Sequence, residues 1–143
     1  KKIQIHCTEE LAKLVMQELS FEKREIVKLF LLNNRNEILK NMNISLGTVG
    51  FANISIRDII AEAIKIEAPK MILVHNHPTG DPTPSEADIR TTDKLDNAAE
   101  MFGITLLDHV VIGNMCFKSV FMEVRKRAED LKNKIEKSND KNE

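Results

Sequence analysis

The stretch that most constrains this chain runs from Met71 to Asp88. Met71 to Val74 is a short unbroken apolar run, the mark of a strand buried on both faces. His75 to Pro84 contains three prolines and one glycine and reads as a loop. Ser85 then opens a helix that runs to about Met101. His75 and His77 stand at i and i+2, so on an extended backbone both imidazoles point to one face. Pro78 ends the strand. Asp88 lies in the first helical turn, where the positive end of the dipole favours a carboxylate. Two neutral histidines and an aspartate are a typical ligand set for a zinc ion that keeps a position open for water. Such an ion activates water near neutral pH and polarises a carbonyl or phosphoryl oxygen. The spacing therefore predicts a zinc site at a strand end, with His75, His77 and Asp88 as ligands. Ser85 and Asp88 also read as a capping box, which accounts for both residues structurally and does not exclude chemistry.

The remaining elements follow from periodicity. Residues 8 to 19 carry Leu11, Leu14, Val15, Met16 and Leu19 on a roughly 3.6-residue period, with Thr8 as N-cap. Ile26 to Leu32, the turn Asn33 to Asn36 and the segment Glu37 to Leu46 read as a β-hairpin, with a bend or bulge at Gly47 and Gly50. Residues 56 to 67 form an amphipathic helix closed by Pro69. Ile104 to Ile112 and Met115 to Phe121 read as strands around the Gly113-Asn114 turn. From Val124 onward the sequence is nearly all polar: a solvated helix extension with Leu131 and Ile135 on one stripe, or a frayed tail. Strands interleaved with helices in 143 residues give one mixed α/β domain.

Composition removes several classes. The formal net charge is -1, which argues against a strongly electropositive nucleic-acid binder. There is no Trp and no Tyr to stack bases. No run approaches a membrane span, and nothing reads as a secretion signal. A cytoplasmic location is expected, with Cys7 and Cys116 reduced and serving as small apolar fillers. The start at Lys1 suggests a piece of a longer protein. The sequence does not fix an oligomeric state.

The run His75-x-His77-Pro78, with seven residues between His77 and Ser85 and then Asp88 three further on, resembles the JAMM motif of the JAB/MPN metalloproteases. Arg24-Glu25, Leu46-Gly47-Thr48 and the segment Leu106 to Gly113 extend the likeness to the bacterial RadC-like, UPF0758-type branch, over about residues 8 to 123. The resemblance implies an MPN/JAB-like (cytidine-deaminase-like) curved mixed β-sheet flanked by helices, with zinc at a strand end. It implies that Glu25 is the general acid/base and that Ser85 helps hold the oxyanion. It divides the chain into an N-terminal connecting helix at 1–20, a catalytic domain at 21–123 and a polar tail at 124–143. The function it implies is zinc-dependent hydrolysis of a peptide or isopeptide bond in a peptide or protein substrate. The alternatives are a metal-dependent nuclease or DNA-repair-associated protein of the RadC type, with nucleic acid as partner, and a non-catalytic MPN partner-binding module. Ile56-Arg57-Asp58 stands where many relatives carry Pro-Arg-Glu, and the helix-hairpin-helix region usual ahead of such domains has no counterpart in the sequence. His109, beside Asp108, is expected to form a buried hydrogen-bonded strand pair, with a contact behind the metal ligands as the alternative. Asn76 should point away from the metal, as a structural hydrogen-bonder or a substrate contact. Arg57, Arg90 and Lys94 either line the approach to the site or sit on solvated helix faces.

Overall fold

The computed structural model describes residues 2–44 and 50–141. Helix α1 spans Thr8–Leu19 and hairpin strands β1 and β2 span Val27–Leu32 and Ile38–Ile44. A 3-10 turn at Phe51–Asn53 leads to α2, Ile56–Lys65. Strand β3, Lys70–Asn76, helix α3, Glu86–Met101, and strand β4, Thr105–Ile112, form a crossover unit. Strand β5, Phe117–Ser119, and helix α4, Val120–Lys141, complete the chain.

Among the described residues, five strands form one open mixed sheet in the order β2-β1-β3-β4-β5. Only β3 and β4 are parallel, and α3 connects them. Such a crossover brings the start of the helix back over the carboxyl end of the first strand, the place where α/β sheets bind ligands. Strand alternation sends β1 and β3 residues to two separate cores. Val27, Leu29, Leu31, Met71 and Leu73 pack with Phe51, α2 and Leu95 of α3. Phe30, Leu32, Ile72 and Val74 pack under α1, which buries Leu11, Ala12, Val15 and Leu19.

Strand β4 does not keep a simple alternation. Met71 pairs with Leu106 but Ile72 pairs with Asp108, so Leu107 is an extra, bulged residue. A one-residue slip moves every later side chain to the opposite face. Leu106 faces the α2–α3 core, Leu107 and Asp108 face α1, and His109 returns to the α2–α3 face beside Leu73. The buried Asp108 carboxylate accepts from the hydroxyls of Thr8 and Ser119, at 2.7 and 2.8 Å, and from the His109 N–H at 2.7 Å. The two hydroxyl donors bind the start of α1 and the end of β5 to the sheet.

Several expectations are corrected. Thr8 is not the N-cap of α1; Cys7 holds that position without a side-chain bond, and the Thr8 hydroxyl goes to Asp108 instead. The segment expected as a loop from His75 is still strand through Asn76. The expected strand from Met115 to Phe121 is only Phe117–Ser119, because Ser119 Oγ accepts the Met122 N–H and starts α4. The polar tail is a continuous helix through Lys141. Cys7 is exposed and Cys116 half-buried, so neither is a core filler, and both thiols are free. Leu46, Gly47 and Thr48 lie outside the described residues. Ser55 caps α2 through the Asp58 N–H, so the helix enters without a proline at Ile56.

Candidate metal centre

The site assembles where the end of β3, the start of α3 and the segment before β1 meet. His75 is the penultimate residue of β3, fully buried on the α2–α3 face. His77 follows the strand and is half-buried. Its N–H bonds the Ile112 carbonyl, so it remains aligned beside β4. From there the chain turns at Gly80, whose φ of 91° lies in the left-handed region that favours glycine. The loop is braced from several sides. Asn114 N–H bonds the Gly80 carbonyl at 2.8 Å, and Lys118 Nζ reaches Thr83 at 3.2 Å. Arg127 of α4 donates to the Pro84 carbonyl and to Glu86. A side chain at Gly113 would run into the Gly80 carbonyl and the Pro82 ring.

The loop delivers Ser85 as N-cap of α3. Its Oγ accepts the Asp88 N–H, and Asp88 Oδ2 accepts the Ser85 N–H, each at 3.0 Å. This reciprocal box fixes the Asp88 carboxylate at the helix start. One coordinating atom from each of His75, His77 and Asp88 lies within 4.8 Å of the others. His77 Nε2 is 2.9 Å from Asp88 Oδ2, and His75 Nε2 is 3.7 Å from the same oxygen, too far for a hydrogen bond.

Two observations test whether these residues suit a cation. Among the described residues, His75 Nε2 is the one buried side-chain nitrogen or oxygen with no hydrogen-bond partner. Such an orphan is costly unless a ligand takes it. In addition, His77 Nδ1 lies 2.9 Å from the Asp81 carbonyl, an acceptor only, so Nδ1 carries a proton. Its Nε2 then faces the Asp88 carboxylate and needs a second proton or a metal ion between them. The bond to Asp88 raises the His77 pKa against the opposing effect of burial. Burial alone would raise Asp88, but the two imidazoles and the Ser85 N–H outweigh it and hold the carboxyl well below the usual range. Two imidazole nitrogens and one carboxylate oxygen are donors that zinc accepts, and the residues fit such an ion.

Glu25 stands just before β1. The antiparallel pairing of Val27 with His75 carries the preceding Glu25 to the same end of β3, where Oε1 lies 3.7 Å from His75 Nε2. Oε1 accepts the Phe51 N–H at 2.9 Å. A Cβ at Gly50 would stand 2.9 Å from Oε2, so the glycine leaves the carboxylate its room. The Phe51 ring stacks on His75, with centroids 4.8 Å apart and planes 10° from parallel. Asn76 points to the opposite face of the sheet. Its Oδ1 accepts the Ile26 N–H at 2.6 Å and its Nδ2 donates to the Arg24 carbonyl at 2.9 Å. It is a structural hydrogen-bonder that clamps both neighbours of Glu25.

Comparison with known proteins bears on this site. The sequence profile of the RadC-like JAB domain matches residues 5–126. The chain belongs to the RadC-like JAB domain family. Relatives include UPF0758 proteins of Desulforamulus reducens, 43% identical over 83% of this chain, and Desulforudis audaxviator, 40% identical over 83%. The UPF0758 protein of Geobacillus thermodenitrificans is 39% identical over 81% of the chain. The chain covers 52%, 52% and 51% of these three relatives, so it spans about half of their length.

Within this RadC-like domain, the structure brings together His75, His77, Asp88, Ser85 and Glu25. Arg57, Arg90 and Lys94 are exposed on helix faces. Asp108 and His109 are both buried and bonded through the His109 N–H and the Asp108 carboxylate, but their side chains point to opposite faces. His109 instead contacts His75 from behind, with Nε2 2.6 Å from His75 Nδ1. Burial lowers the His109 pKa well below its ordinary value. Sequence reasoning passed over Phe51 and Thr92 and took Gly50 only as a bend. Thr92 carried a signal: it is four residues after Asp88 and so shares its helix face.

Proposed function

We propose that this domain is a zinc-dependent hydrolase acting on a peptide or isopeptide bond. The observation that carries the reading is the convergence of His77 and Asp88 on the orphaned Nε2 of buried His75. When bound, zinc would supply Lewis acidity and a water acidic enough to lose its proton near neutral pH. His75, His77 and Asp88 would hold it. Glu25 is the proton carrier: its carboxylate takes the proton of the attacking water and returns it to the leaving amine. The Phe51 N–H keeps that carboxylate turned toward His75. Ser85 Oγ uses a lone pair for the Asp88 N–H, which leaves its own proton free to donate to the developing oxyanion. Ser85 is exposed, so a substrate carbonyl can reach it.

The near-zero charge weighs against a nucleic-acid substrate, and Arg127 of the basic run 125–127 is already paired with Glu86 and Glu123. The test is a screen of zinc-loaded protein against peptide and isopeptide libraries and a labelled DNA panel, each beside Glu25→Gln. Cleavage of a peptide or isopeptide by the wild type and not by E25Q supports the reading. Cleavage of DNA with all peptides intact overturns it.

A further inference from the structure

We propose that Thr92 and His109 form a hydrogen-bond relay that fixes His75 as the Nδ1–H tautomer and so presents its bare Nε2 to His77 and Asp88. The relay's purpose rests on reading that cluster as a metal site; its geometry does not. The argument starts on α3. The Thr92 hydroxyl lies 2.7 Å from the Asp88 carbonyl and 2.6 Å from His109 Nδ1. A carbonyl only accepts, so the single hydroxyl proton goes to Asp88, and Thr92 Oγ1 is left to accept. His109 Nδ1 must therefore carry a proton. His109 is completely buried and, among the described residues, no carboxylate is hydrogen-bonded to its ring, so the ring is neutral and its Nε2 is bare. His75 Nδ1, 2.6 Å from that nitrogen, is then the donor. A neutral His75 with its proton on Nδ1 has its lone pair on Nε2, the atom left without a partner.

Every bond direction follows from one fixed point, the backbone carbonyl of Asp88. Helix α3 thus sets both the Asp88 carboxylate and, through Thr92, the protonation pattern of His75. The bulge at Leu107 is what turns His109 to this face. Metal-ligating histidines usually give their other N–H to a carboxylate, a backbone carbonyl or a water, which orients the ring. Here a second histidine takes that place. It orients the ring without adding negative charge beside Glu25 and Asp88.

The test uses the metal-free chain and long-range proton–nitrogen correlation spectra of its histidine rings. The expected result is a proton on Nδ1 and none on Nε2 for both His75 and His109. A proton on His75 Nε2 overturns the proposal, and this wild-type spectrum needs no variant to fold. Thr92→Val keeps the shape and removes the hydroxyl; it should mix the ring tautomers and weaken zinc binding, read by chelator competition, by about 10–100-fold. Thr92→Ser restores the hydroxyl and should restore both readouts. Unchanged ring spectra and zinc affinity in T92V overturn the proposal. A wild type with the expected rings that binds no zinc retains the relay and removes the metal reading. A wild type that binds zinc but carries Nε2–H on metal-free His75 does the reverse.

Discussion

Replacing Asn76 by aspartate turns one NH2 group into an oxygen and leaves the shape unchanged. Asn76 is 1% exposed, and its Nδ2 donates to the carbonyls of Arg24 and Glu22 at 2.9 and 3.4 Å. In Asn76→Asp an ionised oxygen would face two acceptors. The acid escapes by keeping its proton, which restores a donor toward Arg24. Its folded pKa is therefore raised above the unfolded value of about 3.9, the folded state binds the extra proton, and stability falls as pH rises between those two values. The ceiling on the loss is the cost of holding that proton, about 1.36 kcal/mol per pH unit above the unfolded pKa. That amounts to about 1.5 kcal/mol at about pH 5 and about 4 kcal/mol at about pH 7. Urea unfolding of wild type and N76D at both pH values measures the difference. Zinc binding should survive in the folded fraction, since Asn76 faces away from the ligands. A stability difference independent of pH, or N76D as stable as wild type at neutral pH, would refute the clamp.

Two further outcomes are expected. Gly50→Ala suits the backbone, whose φ is -84°, but its methyl group would sit 2.9 Å from Glu25 Oε2 and push the carboxylate away; turnover of the peptide found in the screen should fall about 100-fold while zinc affinity is unchanged, and equal loss of both would contradict the geometry. A proton on His77, favoured by Asp88, competes with the metal; zinc affinity by chelator competition should therefore weaken about tenfold per pH unit once His77 is protonated in the metal-free chain, and an affinity flat across that range would count against His77 as a ligand.

The cluster of His75, His77 and Asp88 was legible because its residues are close in sequence and each obeys a local rule. His75 and His77 share a face by strand alternation, and the capping box places Asp88. Helix α1 was legible from its apolar period alone. What lay hidden depends on contacts across the fold. The alternation of Leu106 to His109 would put His109 on the far side of the sheet; the bulge at Leu107, which tertiary pairing imposes, reverses that. Phe51 reaches Glu25 from 26 residues further along the chain, beyond β1 and β2, and Gly50 stands beside it, with no local pattern to announce either contact. The short strand β5 was overextended because so short a segment has no distinctive period, although Ser119 within it marked a helix start.

The most direct test is the zinc content of the purified chain after equilibration with zinc and removal of free metal, measured beside His77→Ala. One zinc per chain in the wild type, and its loss in H77A, is the predicted result. A wild type that retains no zinc, or an H77A variant that retains as much, would contradict the assignment of His75, His77 and Asp88 as a metal centre.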